Sequence, residues 1–204
     1  MSLERKYSEL LLKIGFEANE TKTLWFDLEK AYSTKSRHYH NLNHLEDMIV
    51  LFDQYKNHIN KPDEILFSIF YHDYIYKATR KDNELKSAEQ ALKIISATES
   101  LDKKLIFDAI CATKFHQHNA IEDINWLIDF DLRILAKSWE DYQIYGNEIR
   151  KEYRIYPDFL YNPGRKKALE HFLENEFIFQ TEQFRRLFEE NARANIQKEI
   201  LLLT

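Results

Sequence analysis

The chain has 204 residues but only three glycines and three prolines. That is far below ordinary usage and leaves few turn signals. A β-sandwich or a doubly wound nucleotide-binding fold needs many more, for its hairpins and phosphate loops. The single cysteine, Cys111, excludes an intramolecular disulfide. Within the apolar stretch "DAICAT" it reads as a buried structural thiol. No window approaches the ~18 apolar residues of a membrane-spanning helix. The charged, amphipathic start "MSLERKYSELL" lacks the apolar stretch of a signal peptide. Clustered basic charge is missing too: 29 Lys and Arg face 34 Asp and Glu, interspersed, for a net charge of −5. This argues against a nucleic-acid polymer as partner. The expectation is a cytoplasmic protein of a reducing compartment, with no membrane partner.

What is present is helical periodicity. Leu3, Tyr7, Leu10, Leu11 and Ile14 share a helix face, and Gly15 is a stop. A second helix starts near Thr21 and a third near Asn41, joined by the polar stretch "YSTKSRHY". Pro62 suits a helix start. It introduces the strongly apolar "DEILFSIFYHDYIY", expected as one helix through the core and broken by "KATRKDN". Further helices are expected at "NELKSAEQALKIISAT", "SLDKKLIFDAICAT", "INWLIDFDLRILA", "SWEDYQIYGNEIRKEYRIY", "YNPGRKKALEHFLENEFIF" and "TEQFRRLFEENARANIQKEILLL". No repeat or composition break marks a linker. The sequence therefore points to an all-α, single-domain chain over 1–204, with a core at about 20–155 and a helical extension at about 156–204.

Four places carry polar groups that this pattern does not ask for. In "YHDY", His72 and Asp73 sit where an apolar helix wants Leu or Ile. A buried carboxylate must be paired or bound to a cation, so the pair is either a hydrogen-bonded structural unit or part of an ion site. In "RHYHNLNHLEDMI", His40 and His44 are four apart and share a face, a spacing that fits a shared ion or merely a solvated helix start. His38 is offset and reads as a loop residue. In "LIDFDLRIL", Asp129 and Asp131 interrupt an apolar run; Asp129 fits equally a helix cap. In "ATKFHQH", His116 and His118 follow a helix end, where imidazoles are favourable anyway. Imidazoles and carboxylates gathered from separate helices suit a divalent ion such as Mn, Zn, Fe, Co, Ni or Mg.

The order H…HD…D over separate helices resembles the HD-domain superfamily of metal-dependent phosphohydrolases. The likeness to its small bacterial branch runs through "RHYHNLNH", "YHDYIY", "DNELKSA", "CATKFH", "DFDLRIL", "IRKEY", "YNPGR" and "ENARANIQKE". It implies an HD-type helical bundle, with His44, His72, Asp73 and Asp131 as metal ligands and a small phosphorylated substrate, such as a nucleotide. The stretch His40-Asn41 with His44 and Asp47 is also similar to the H-N-x-x-H-x-x-D signature of cyclic-nucleotide phosphodiesterases. That likeness implies His40 as the general acid and Asp47 as a carboxylate orienting an imidazole. Leu45 stands where those enzymes favour alanine, and no counterpart of their purine-binding glutamine is found. The cyclic-nucleotide substrate is therefore not implied.

Charge developing on phosphoryl oxygens needs positive partners. Arg37 is the nearest in sequence to the site, followed by Arg150 and Arg165; each fits a plain ion pair as well. His116 is a further substrate-binding residue, and Glu84 a base or outer carboxylate, or simply an acid in a helix's first turn. Tyr71, Tyr74 and Tyr76 are expected near the pocket, and Arg193, Asn195 and Glu199 in a packing or ion-pair element. Two rival expectations stand beside hydrolysis. One is a non-catalytic HD-type scaffold binding a nucleotide or protein. The other is iron-based oxygen chemistry that recruits His116, His118 and Glu84.

Overall fold

The computed structural model describes residues 2–203. Among them are ten α-helices and two 3-10 turns, with no strand: an all-α architecture, as expected. The helices are α1 (Leu3–Lys13), α2 (Ala18–Tyr32), α3 (Leu42–Tyr55), α4 (Pro62–Tyr71), α5 (Asn83–Ile94), α6 (Lys103–Ala112), α7 (Glu122–Leu132), α8 (Trp139–Glu152), α9 (Asp158–Glu174) and α10 (Glu182–Leu202). The 3-10 turns are Lys56–His58 and Arg133–Ala136.

The apolar stripes decide the packing. Leu3, Tyr7, Leu10 and Leu11 of α1 are buried, and Gly15, at φ 102°, turns the chain in a backbone region that side chains disfavour. α4 is apolar all round from Ile65 to Tyr71, and α1, α3, α5, α6 and α7 surround it. Burying a side chain such as Phe67 or Phe70 there contributes about 1.5–3 kcal/mol each. Phe184, Ala192 and Ile196 of α10 join the same core cluster as Tyr7 of α1. No described helix is long and apolar enough to cross a membrane.

Three expectations about the elements change. α4 ends at Tyr71 rather than continuing through "HDYIY", and His72 is its cap. The backbone beyond has better partners outside the helix. Arg37 donates to the carbonyls of Asp73 and Tyr74, at 2.7 and 2.9 Å, and Ile75 N–H donates to Ser87 Oγ. α9 begins at Asp158, ahead of "YNPGR", and carries Pro163 inside it. Cys111 is half-buried, not sealed in the core.

With so little glycine and proline, loops are held by buried or half-buried carboxylates that collect backbone N–H groups. Asp123 accepts from the amides of Asn60 and Lys61 just before α4, at 2.9 and 2.7 Å. Glu189 accepts from Ile178 and Phe179. Asp129 is no helix cap: it lies inside α7, fully buried, and accepts from Gln180 N, Thr181 N and Thr181 Oγ1 at 2.6, 2.8 and 2.6 Å. Burial pushes its carboxyl up to about 7 against those three hydrogen bonds. Removing the acceptor strands three buried donors, so Asp129→Ala is expected to cost about 3 kcal/mol in urea unfolding. A loss under about 0.5 kcal/mol would show that the 176–181 segment is held without the Asp129 hydrogen bonds.

Candidate metal centre

Three helices deliver the central groups. His44 comes from the first turn of α3, whose start is fixed by Asn41 accepting from Asn43 N–H at 2.8 Å. His72 caps α4, and Asp131 lies one residue before the end of α7. One ligand atom from each lies within 4.8 Å of the others, and both imidazoles are buried. His44 Nε2 is 3.2 Å from His72 Nε2 and 3.1 Å from Asp131 Oδ1.

The tautomer of His72 follows from its neighbour. Its Nδ1 lies 2.8 Å from the Ile69 carbonyl, which only accepts, so Nδ1 carries the hydrogen. The lone pair of neutral His72 is therefore on Nε2 and faces the cluster, the arrangement a metal ligand needs. Burial alone would lower the basicity of this imidazole. The carboxylates of Asp73 and Asp131 outweigh it and raise the pKa to about 9. The spot attracts positive charge, and the donor set of two imidazole nitrogens and a carboxylate fits a divalent transition ion.

Asp73 stands to one side. Its Oδ2 is 3.2 Å from His72 Nε2 and 4.0 Å from His40 Nε2, outside the mutually close set of His44, His72 and Asp131. Burial raises its carboxyl, but His72 and His40 hold it well below the usual carboxylate range. His116 lies on the other flank, with Nε2 2.9 Å from Asp131 Oδ2. It has φ 53°, an uncommon conformation for a side-chain-bearing residue. Its N–H donates to Ala112 O and its carbonyl accepts from Gln180 Nε2 at 3.0 Å. Of the two loop histidines it is His116 that reaches the cluster, while His118 lines a neighbouring recess, behind His116, with Glu176 and Arg185.

His40 belongs to a second unit, built on a residue that sequence reasoning passed over. Glu152, the last residue of α8, has a fully buried side chain. Its Oε1 accepts the amides of His38, Tyr39 and His40 at 2.8, 2.8 and 3.0 Å. Its Oε2 accepts from His40 Nδ1 at 2.6 Å and Tyr76 O–H at 2.7 Å. Burial disfavours the Glu152 carboxylate, but His40, Tyr76 and the amides bring its pKa down to about 2. Burial likewise opposes the His40 imidazolium, yet Asp73 and Glu152 raise its pKa above the ordinary value. Tyr76 stacks on His40 at 4.1 Å between ring centroids. A signal was present in the sequence: Tyr142, Tyr145, Ile149 and Glu152 fall on one buried helical stripe, where a glutamate is out of place.

The remaining sequence candidates make partners of their own, and of them Arg165 lines the cavity beside the cluster. Arg37 is buried and spends its guanidinium on the carbonyls of His40, Asp73 and Tyr74, over the Tyr32 ring. It ties the His40 loop to the His72-Asp73 turn instead of facing a substrate. Arg150 pairs with Asp158 and donates to the carbonyls of Tyr153 and Tyr156. Arg150→Ala is accordingly expected to leave metal content unchanged and phosphate-ester hydrolysis within about twofold. A tenfold loss in kcat/KM would return it to the site. Arg165 forms a two-point pair with Glu199, at 2.8 and 3.0 Å, within the expected ion-pair element. Glu84 sits in the first turn of α5; burial pushes the Cys111 thiol up, and the charges of Asp108 and Glu84 add to it. Asp47 pairs with Lys137 at the surface instead of orienting an imidazole.

A cavity of about 500 Å3 opens beside Asp131, His40 and His116, between α7, α8 and α9. Tyr39, Tyr145, Tyr153, Tyr156 and Tyr161 line it, rather than Tyr71, Tyr74 and Tyr76. Tyr71 is instead buried against Tyr7, with the two hydroxyls 2.6 Å apart. No family model, curated protein or solved structure matches the chain.

Proposed function

We propose that the chain is a metal-dependent phosphohydrolase of the HD-domain type, acting on a small phosphate ester. The observation that carries the reading is the convergence of His44, His72 and Asp131, with His72 Nε2 turned into the cluster and Asp131 lining a cavity. His44, His72 and Asp131 would hold a divalent ion, with Asp73 beside them. Such an ion supplies Lewis acidity at a phosphoryl oxygen.

The chain's own groups supply the rest. His40 lines the cavity, and the carboxylates of Glu152 and Asp73 keep its imidazolium favoured. Its Nδ1–H is committed to Glu152, so the proton it gives is the one on Nε2. That proton goes to the departing alkoxide oxygen. The proton that water loses restores His40, so one proton passes overall from water to the alcohol, and the products are the alcohol and inorganic phosphate. His116, through Asp131 Oδ2, fixes the orientation of that carboxylate. The apolar walls limit water around the reacting group.

The test is a panel of phosphate esters assayed with added Mn, Zn, Co, Ni and Mg, with and without a chelator. Metal-dependent release of phosphate that the chelator abolishes is the expected result. Tight metal binding without turnover on any ester would favour the scaffold reading.

A further inference from the structure

Building on the hydrolase reading, we infer that the substrate carries a single phosphoryl group on an uncharged, ring-bearing alcohol. The reacting phosphate belongs at the Asp131 and His40 end, so the alcohol portion must occupy the rest of the cavity. That space, about 500 Å3, is in the range that holds an organic ligand of moderate size.

Its walls determine what fits. Five tyrosines line it, with aliphatic side chains between them, offering ring faces and edges to a flat group. Among the described residues Arg165 is the only guanidinium in the lining, and no lysine joins it. Arg165 is already spoken for: Glu199 takes two of its N–H groups and Tyr145 lies under it at 5.2 Å. A second or third phosphate would set further negative charge against tyrosine rings and aliphatic side chains, with no free lysine or arginine in the lining to meet it. A small polyol would leave the tyrosine rings unfilled. In the reaction the P–O bond to the alcohol oxygen breaks as a bond to water oxygen forms, and the alcohol leaves as the neutral, protonated product.

The experiment uses the whole chain at fixed free Mn. Benzyl phosphate, 2-glycerol phosphate and a nucleoside triphosphate are compared by phosphate release and, separately, by titration calorimetry. Benzyl phosphate should exceed each of the others at least tenfold in kcat/KM and in affinity. Gly164 lines the cavity, and a Cβ built there meets nothing within 4 Å. Gly164→Phe should therefore fill the space, weaken benzyl phosphate binding at least tenfold and leave metal content unchanged. Equal or tighter binding of the triphosphate, or no binding of benzyl phosphate, overturns the inference. Selective binding of benzyl phosphate without phosphate release would leave the cavity assignment standing and sink the hydrolase reading.

Discussion

Asp131→Ala is expected to lower phosphate-ester hydrolysis at least about 1,000-fold, even at saturating metal. The carboxylate is the only anionic member of the close set with His44 and His72. Its second oxygen also anchors His116 at 2.9 Å. Without it, two imidazole nitrogens 3.2 Å apart face each other with no bridging acceptor. The ion then loses a donor and its charge compensation together, and a missing ligand in a three-residue set costs the geometry as well as the affinity. His116→Ala removes only the orienting partner and should cost about 10- to 100-fold in metal affinity or activity. Comparable hydrolysis by Asp131→Ala and the native protein at the same free metal would place the reaction elsewhere.

Glu152→Ala is expected to be among the most destabilising substitutions in the chain. It removes the acceptor of three backbone amides, one phenol and one imidazole, all gathered on a fully buried carboxylate. A cost of about 3–5 kcal/mol follows from stranding buried donors and a buried imidazolium. The carboxyl sits at about 2 when folded, against 4.5 ordinarily, so the unfolded chain binds the extra proton. The contribution is therefore fully present above about pH 4.5 and lost as the pH falls toward 2, about 3 kcal/mol in all. Urea unfolding of the native protein between pH 6 and 3 should show this fall. Glu152→Gln should show a flatter acid limb. Equal acid limbs in the two proteins would mean that other carboxylates dominate acid unfolding.

The same residue shows where sequence reading stopped. Helix existence was legible because each apolar stripe is local: Leu3 to Leu11 in α1, or Ile65 to Tyr71 in α4. The end of α4 was not, because it depends on Arg37, 36 residues upstream, taking the Asp73 carbonyl. The loop clamps are likewise long-range. Glu152 meets the His40 amide across 112 residues, and Asp129 meets Gln180 across 51. Neither pairing leaves a local pattern of the kind that Gly or Pro turns do. His72 and Asp131 stood out because each breaks an apolar run, His44 because it shares a helix face with His40, and the fold gathers the three. Arg37 and Arg150 stood out only as charges, and a charge's partner is set by tertiary packing. The tyrosines at the cavity were hidden among twelve, since a ring reads the same in a core and in a wall.

The most direct test is elemental analysis of metal per chain, after saturation with a divalent transition metal and gel filtration, for the native protein and His72→Ala. About one metal ion per native chain, absent from a His72→Ala chain that keeps its helical circular dichroism, is the predicted result. Native protein that retains no metal under any divalent ion offered, or His72→Ala that retains as much as native, would contradict the centre formed by His44, His72 and Asp131.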